Sequence, residues 1–155
     1  MSNVRELVTD FLVDYGWLID NDRLEDWANL FEEAGQYHII PRDNYIRGMK
    51  IGLISCRNKA MIRDRILALR VANEYNIHQD RHIIGAPKIL ENTSQLILIE
   101  SNFTVIQTGQ DGISSVFSAG VYRDKLTRVG GELKLLDKLV IVDTFCVKTL
   151  IATPL

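Results

Sequence analysis

The sequence lacks several features that would place it in a specialised class of protein. Its 155 residues include only two cysteines and three prolines, and its formal net charge is −2. So small an excess of charge gives no basic surface for the phosphates of nucleic acid. Cys56 and Cys146 stand far apart and outside any CxxC pattern, which is typical of free thiols in a reducing cytoplasm. We therefore expect neither a nucleic-acid partner nor a disulfide framework.

Long apolar runs are also missing. A bilayer span requires ~20 consecutive apolar residues, and no segment of this sequence approaches that length. The first residues place acidic side chains among apolar ones, unlike the continuous apolar region of a secretion signal. The hydrophobic content of 46% is ordinary for a globular protein. These features predict one folded domain over residues 1–155, located in the cytoplasm and without a membrane partner.

The first part of the chain has the spacing of amphipathic helices. Apolar residues recur at intervals of three and four from Val4 to Ile19, which predicts a first helix. A second, short helix is expected to begin at an Asp22–Glu25 capping box and to end at Gly35. A strand over Gln36–Ile40 and a turn at 41–44 follow. A third helix is predicted from Asn58 to Val71.

The second part alternates with a period of two, which indicates strands. Short connections, including Gly130–Gly131, favour antiparallel neighbours because a parallel crossover needs a dozen or more residues. Helices followed by long antiparallel strands predict an α+β fold in which a curved sheet wraps the helices. The predicted extended segments are Arg81–Leu90, Gln95–Thr108, Ile113–Arg128 and Glu132–Phe145.

Patterns typical of metal or cofactor sites are scarce in the sequence. His78-x-x-x-His82 has the spacing of two ligands on a helix, but the segment leads into a strand, where we expect the rings to diverge. A Rieske cluster needs two cysteines and two histidines in local pairs, and neither cysteine has a histidine nearby. Nucleotide-binding glycine loops are absent. We expect no metal, cofactor or catalytic residue in this chain.

Two sets of polar residues allow more than one interpretation. Asp14, Tyr15, Asp64 and His82 could form an acid–base pair in a pocket of the cone, although structural ion pairs or surface positions explain them better. The basic residues Arg63, Arg65 and Arg70 lie on the third predicted helix. They fit either a solvated helix face or a protein–protein contact, for which arginine is a favoured residue.

The order of several motifs along nearly the whole chain resembles the small (β) subunits of aromatic-ring-hydroxylating dioxygenases. No single motif is specific, but their order and spacing are. The segments that carry the resemblance are Trp27-x-x-Leu30-Phe31, Ile40-Pro41-Arg42-Asp43-Asn44, Lys59–Ile66, Arg81–Ile84, Ser101-Asn102-Phe103, Gly120–Asp124 and Asp143.

This resemblance implies an NTF2-like cone, with the N-terminal helices packed in a strongly bent antiparallel sheet. It also implies a non-catalytic, structural subunit that assembles with a large (α) subunit, as three large and three small chains. The Rieske 2Fe-2S centre and the mononuclear Fe(II) would lie on the large subunit. A reductase or ferredoxin would contact the complex and supply electrons from NAD(P)H.

Within the family, the resemblance is greatest to the terephthalate dioxygenase group. Salicylate and halobenzoate enzymes are also compatible, so the expected substrate is an aromatic carboxylate. The alternatives are a stand-alone NTF2-like isomerase or dehydratase, and a ligand-binding module, because one fold hosts many functions. The resemblance places structural buried polar links at Arg65, Arg81, His82 and Asp143. Expected contacts with the large subunit are Pro41, Arg42, Asn44, Arg63 and Arg70.

Overall fold

The computed structural model describes residues 3–49, 51–72, 77–143 and 153–155. Cys146 and the expected end of the last strand at Phe145 lie outside these ranges. The described residues form helices and one sheet in the predicted order. The helices are α1 (Val4–Asp20), α2 (Leu24–Ala28), α3 (Arg42–Ile46) and α4 (Lys59–Ala72). The strands are β1 (Phe31–Pro41), β2 (Ile54–Cys56), β3 (His78–Ile84), β4 (Lys88–Asn92), β5 (Leu96–Gly109), β6 (Ser114–Val129) and β7 (Glu132–Val142).

The ends of the two long helices follow from local side chains. The Asn3 side chain accepts a hydrogen bond from the backbone N–H of Arg5 and so caps α1. The side chain of Asn58 accepts one from Met61 N at 2.9 Å at the start of α4. The predicted third helix is therefore confirmed, with its first residue shifted by one.

The strands form one curled, unclosed sheet in the order β2-β1-β7-β6-β5-β3, and β4 also pairs with β5. The predicted series of antiparallel neighbours, β5 with β6 and β6 with β7, is confirmed. At the β6–β7 turn, Gly130 and Gly131 have φ values of +57° and +85°, which glycine adopts without strain. Among the described strand pairs, β1 with β7 is parallel.

Helices α1, α2 and α4 cover one face of the sheet, which we call the inner face. Side chains of α1, α2 and α4 share a single core with the inner side chains of β1, β5, β6 and β7. The predicted alternation of β5 is confirmed, since Ile97, Ile99, Phe103 and Val105 are buried. The other sheet face is the outer face. Of the described helices, α3 contacts it, at β1 and β7.

Several local predictions were wrong. The second helix ends at Ala28, and Gly35 lies in β1 at a bulge, where a Cβ would stand only 2.7 Å from the carbonyl oxygen of Leu135. Asp22 does not cap that helix, because it adopts φ +57° and binds Arg70 instead. The turn at 41–44 is the start of α3. The segment Arg81–Leu90 divides into two strands, both paired with β5.

Gly120 offers a test of the sheet geometry. A Cβ at this position would overlap the carbonyl oxygen of Ile141 on β7. Gly120→Ala should lower the free energy of unfolding by about 3 kcal/mol or more, because neither backbone can move without breaking the strand pairing. The measurement is urea unfolding followed by circular dichroism. Gly85→Ala is the control, since a Cβ there would stand 3.6 Å from its nearest neighbour, the carbonyl oxygen of Asn102. Equal losses in both variants would contradict the close approach of β6 and β7 at Gly120.

Candidate functional site

An ion pair lies in the centre of the cone. Lys138 on β7 and Asp124 on β6 are fully buried, and Lys138 Nζ lies 3.0 Å from Asp124 Oδ2. The same ammonium group stands 3.3 Å from the ring centroid of Tyr122 and 4.0 Å from that of Tyr15. The negative faces of these rings stabilise the cation. One charged group is thus held by a carboxylate and two aromatic rings.

Burial dominates the electrostatics of this pair. It lowers the pKa of Lys138 to about 8, while Asp124 works in the opposite direction. Burial also raises the pKa of Asp124, and the attraction of Lys138 opposes that rise. Neither attraction fully offsets the loss of hydration, which is the expected balance for a buried ion pair.

This pair was not predicted from the sequence. The simple alternation of β7 places Lys138 with the outward residues and Leu139 with the inward ones. In the structure the register shifts by one residue, because Lys125 faces Asp137 whereas Leu126 faces Leu135. This bulge reverses which side chains point inward. The only sequence signal was Asp124 itself, a charged residue between buried Tyr122 and Leu126.

Aromatic side chains fill the rest of the interior. Tyr15 OH donates a hydrogen bond to the carbonyl oxygen of Leu155 at 2.7 Å, and Tyr37 OH donates to the same oxygen at 3.3 Å. The backbone N–H of Leu155 donates to Tyr37 OH at 2.9 Å. A cavity of about 10 Å³ lies beside Tyr37, Trp27 and Pro154, which is room for about one water molecule. The interior around these aromatic side chains is therefore packed and leaves no room there for a substrate.

Some polar atoms in this interior remain without a protein hydrogen-bond partner among the described residues. They include Ser101 Oγ, Tyr122 OH and Asp124 Oδ1. Burial raises the pKa of the Tyr122 hydroxyl well above its usual value, so the phenol is neutral. Of the residues considered for acid–base chemistry, Tyr15 lies in this interior, whereas Asp14 and Asp64 are exposed on helices. The structure does not bring those carboxylates to it.

His82 lies in a second buried link, between β3 and α1. Its backbone N–H donates to Asp20 Oδ2 at 2.8 Å, and its ring Nδ1 lies 2.6 Å from Asp20 Oδ1. The imidazole is fully buried, and Gly16 of α1 leaves space for it, because a Cβ there would stand 3.2 Å from the Cβ of His82. One carboxylate therefore joins the first helix to the edge of the sheet.

The donor sets do not fit a metal centre. His78 and His82 lie four residues apart on a strand, or roughly 13 Å along it, and His78 Nε2 stands 3.4 Å from Asp80. Burial raises the pKa of the Cys56 thiol, which disfavours the thiolate that binds metals. No group of three or more potential ligands occurs among the described residues. These residues therefore do not fit a Rieske cluster or a mononuclear iron.

The other predicted buried links lie at the surface of the isolated chain. Arg65 is exposed on α4 and borders the small cavity beside Cys56. Arg81 is exposed because alternation along β3 turns it away from α1. Asp143 is also exposed, and its carboxylate lies 3.6 Å from Arg42. The burial of these three was predicted wrongly; that all four residues serve stability and not chemistry stays a prediction.

The predicted contact residues differ in how far the chain itself uses them. Pro41 is buried, and the Asn44 amide donates to the carbonyl oxygen of Ile51 at 2.9 Å. Arg63 is exposed on α4. Arg70 is engaged internally: Nη1 lies 2.7 Å from Asp22 and Nε lies 3.0 Å from Glu25.

The Arg70 link stabilises the packing of α4 against the start of α2. Its hydrogen bonds lower the pKa of Glu25. Because both carboxylates belong to the chain itself, Arg70 has little donor capacity left for another protein.

No described helix is long and apolar enough to cross a membrane.

Lys138→Met should destabilise the protein by about 3–5 kcal/mol at pH 7, because Asp124 is left as an unpaired buried charge. Loss of the ammonium raises the pKa of Asp124 further, so the folded variant binds a proton more tightly than the unfolded chain. Its destabilisation should therefore shrink as the pH falls. Unfolding titrations between pH 5 and 8 measure this, and the double variant Lys138→Met/Asp124→Leu should recover much of the loss. A pH-independent loss would contradict the charge argument.

Asp20→Ala should lower the free energy of unfolding by about 2–3 kcal/mol, because two buried donors of His82 lose their acceptor. Thermal and urea unfolding give the value. Asp10→Ala is the matched control, since Asp10 is an exposed carboxylate on the same helix. If both variants lose the same amount, helix propensity and not the His82 link accounts for the change.

Comparisons with known proteins agree with this architecture. The family model described as "Ring hydroxylating beta subunit" matches residues 17–149. The small subunit of anthranilate 1,2-dioxygenase from Burkholderia cepacia is 42% identical over 137 residues, which cover 88% of this chain and 85% of that protein. The beta 1 subunit of the terminal oxygenase component of terephthalate 1,2-dioxygenase from Comamonas sp. is 32% identical over 148 residues, or 96% of each chain.

A solved structure supports the same assignment. It is assigned as the beta subunit of an aromatic-ring-hydroxylating dioxygenase from Novosphingobium aromaticivorans. The two folds superpose with a TM-score of 0.89 at 35% identity, over 97% of this chain and 96% of the other. The predicted NTF2-like α+β cone is thereby confirmed. This chain belongs to the family of ring-hydroxylating dioxygenase β subunits.

Proposed function

We propose that the chain is the non-catalytic, structural small subunit of a Rieske non-haem iron oxygenase that acts on an aromatic carboxylate in the cytoplasm. Family membership carries the proposal, because a small subunit of such an oxygenase pairs with a large one. The structural role is supported by the packed interior, where the Lys138–Asp124 pair and tyrosine rings occupy the space that a substrate would need.

The same observation weighs against a stand-alone isomerase or dehydratase. Such an enzyme needs an acid–base pair that faces an open cavity. Here Lys138 and Asp124 are bound to each other, and both side chains are fully buried. Substrate contacts and turnover would then lie on the large subunit.

The substrate proposal rests on the relatives. The relative named for anthranilate is 42% identical to this chain, and the two named for terephthalate are 32% and 33% identical. The sequence motifs favour terephthalate, whereas overall identity favours anthranilate. Both molecules carry a carboxylate on an aromatic ring, so we propose an aromatic carboxylate and test these two first.

The donor sets of this chain support the placement of the redox groups on the partner. In this proposal the large subunit holds the 2Fe-2S cluster and the mononuclear Fe(II), three large and three small chains assemble, and a reductase or ferredoxin delivers electrons from NAD(P)H. The small chain would stabilise the assembly and leave the chemistry to the large subunit.

Co-expression tests this function. The chain should co-elute with the large oxygenase chain of the same organism in size-exclusion chromatography, at the mass of a hexamer. Anthranilate or terephthalate should be oxidised only when both chains, the reductase and NADH are present. The small chain by itself, at equal concentration, is the control. Separate elution of the two chains, or turnover by the isolated small chain, would refute the proposal.

A further inference from the structure

We propose that the large subunit docks on the outer face of the sheet, at a groove lined in part by Tyr45, Met49 and Gly52, and sets a basic side chain against Asp137. This inference rests on the proposed function, since it names the surface that such a partner would cover. We call this site the outer groove. It has a volume of about 660 Å³ and is lined by His38, Tyr45, Met49, Ser55, Asp137 and Leu139, among others.

The residues that flank the lining of the outer groove in the sequence are unusually apolar for exposed positions. Ile46 and Ile51 are 71% and 69% exposed, and Met49 and Leu53 are 41% and 43% exposed. Four large apolar side chains thus face solvent within eight residues. Isolated apolar residues at a surface need no explanation, but a cluster of them beside a groove marks an interaction site.

Hydrogen bonds fix the backbone at Met49 and Leu53, on either side of position 50. The backbone N–H of Met49 donates to the carbonyl oxygen of Asn44 at 2.8 Å, and that of Leu53 donates to Ile39 at 2.8 Å. Arg123 on β6 donates to Tyr45 OH, which ties α3 to the outer face. The apolar side chains are therefore presented in a fixed arrangement, which reduces the entropy lost when a partner binds.

Asp137 identifies the chemistry of the partner. It projects from the outer face of β7, opposite Lys125 on β6 and Gln36 on β1. Its Oδ1 atom is shielded from solvent, yet it accepts no hydrogen bond from any described residue. The neighbouring His38 ring is bonded to Gln36 instead.

An unpaired, desolvated carboxylate oxygen is costly. The same side chain lines the outer groove, so a cation that a partner places there would lower that cost. Burial raises the pKa of Asp137, while His38 and Lys125 oppose the rise. A guanidinium or ammonium group on the large subunit complements this carboxylate better than a neutral group, because it supplies both a hydrogen bond and the opposite charge.

Two matched pairs of variants test the outer groove in complexes with the organism's large oxygenase chain. Ile51→Asp should weaken association at least ~10-fold, whereas Ile113→Asp, at a site 66% exposed in the β5–β6 turn, should leave it unchanged. Asp137→Asn should weaken it ~10-fold and reduce its salt dependence. Asp10→Asn should do neither. Mass photometry gives the dissociation constants, and circular dichroism verifies that each variant is folded.

The outcomes separate this inference from the function beneath it. If the wild-type chain does not bind the large chain, both fall together. If the wild type binds and either Ile51→Asp or Asp137→Asn binds equally well, the outer groove is not the docking site, while the subunit function stands. Equal weakening in a variant and its control would also overturn the proposed surface.

Discussion

The Lys138–Asp124 ion pair is the interaction on which the interior of this protein depends. It lies where α1, β6 and β7 meet, and the ammonium group touches the rings of Tyr15 and Tyr122. Removing one member of a buried ion pair lowers the free energy of unfolding far more than replacing both members by apolar residues. The pair therefore fixes the register of two long strands, because a one-residue slip of β7 would carry the lysine to the outer face.

The two faces of the sheet consequently have different properties. On the inner face, helices and aromatic side chains close the cone. The backbone oxygen of Leu155 accepts hydrogen bonds from Tyr15 and Tyr37, and its N–H donates to Tyr37 OH. On the outer face, polar and apolar side chains alternate across β1, β7 and β6, and of the described helices only the short α3 lies against it. An antiparallel sheet can leave one face to solvent, but here that face includes a groove whose lining is flanked in the sequence by exposed apolar residues, and an unpaired carboxylate oxygen on Asp137.

This division explains how one fold can serve either as an enzyme or as a subunit. A cone with an open interior offers a pocket, whereas a filled cone offers stability and an outer surface. In this chain, side chains that could act as acids or bases bond to each other, as His82 does with Asp20. Stability of the inner face thus supports a rigid outer face, and rigidity lowers the entropic cost of assembly.

The sequence by itself determined the helices α1 and α4, the three consecutive antiparallel strands and the family, because these depend on local periodicity, glycine turns and the order of motifs. It did not determine the Lys138–Asp124 pair or the course of β1. Both depend on bulges, at Leu135–Asp137 and near Gly35, which reverse the side-chain alternation and form only when two strands pair. The exposure of Arg65, Arg81 and Asp143 likewise followed from tertiary packing. A sequence motif does not show which of its side chains another helix or strand will cover.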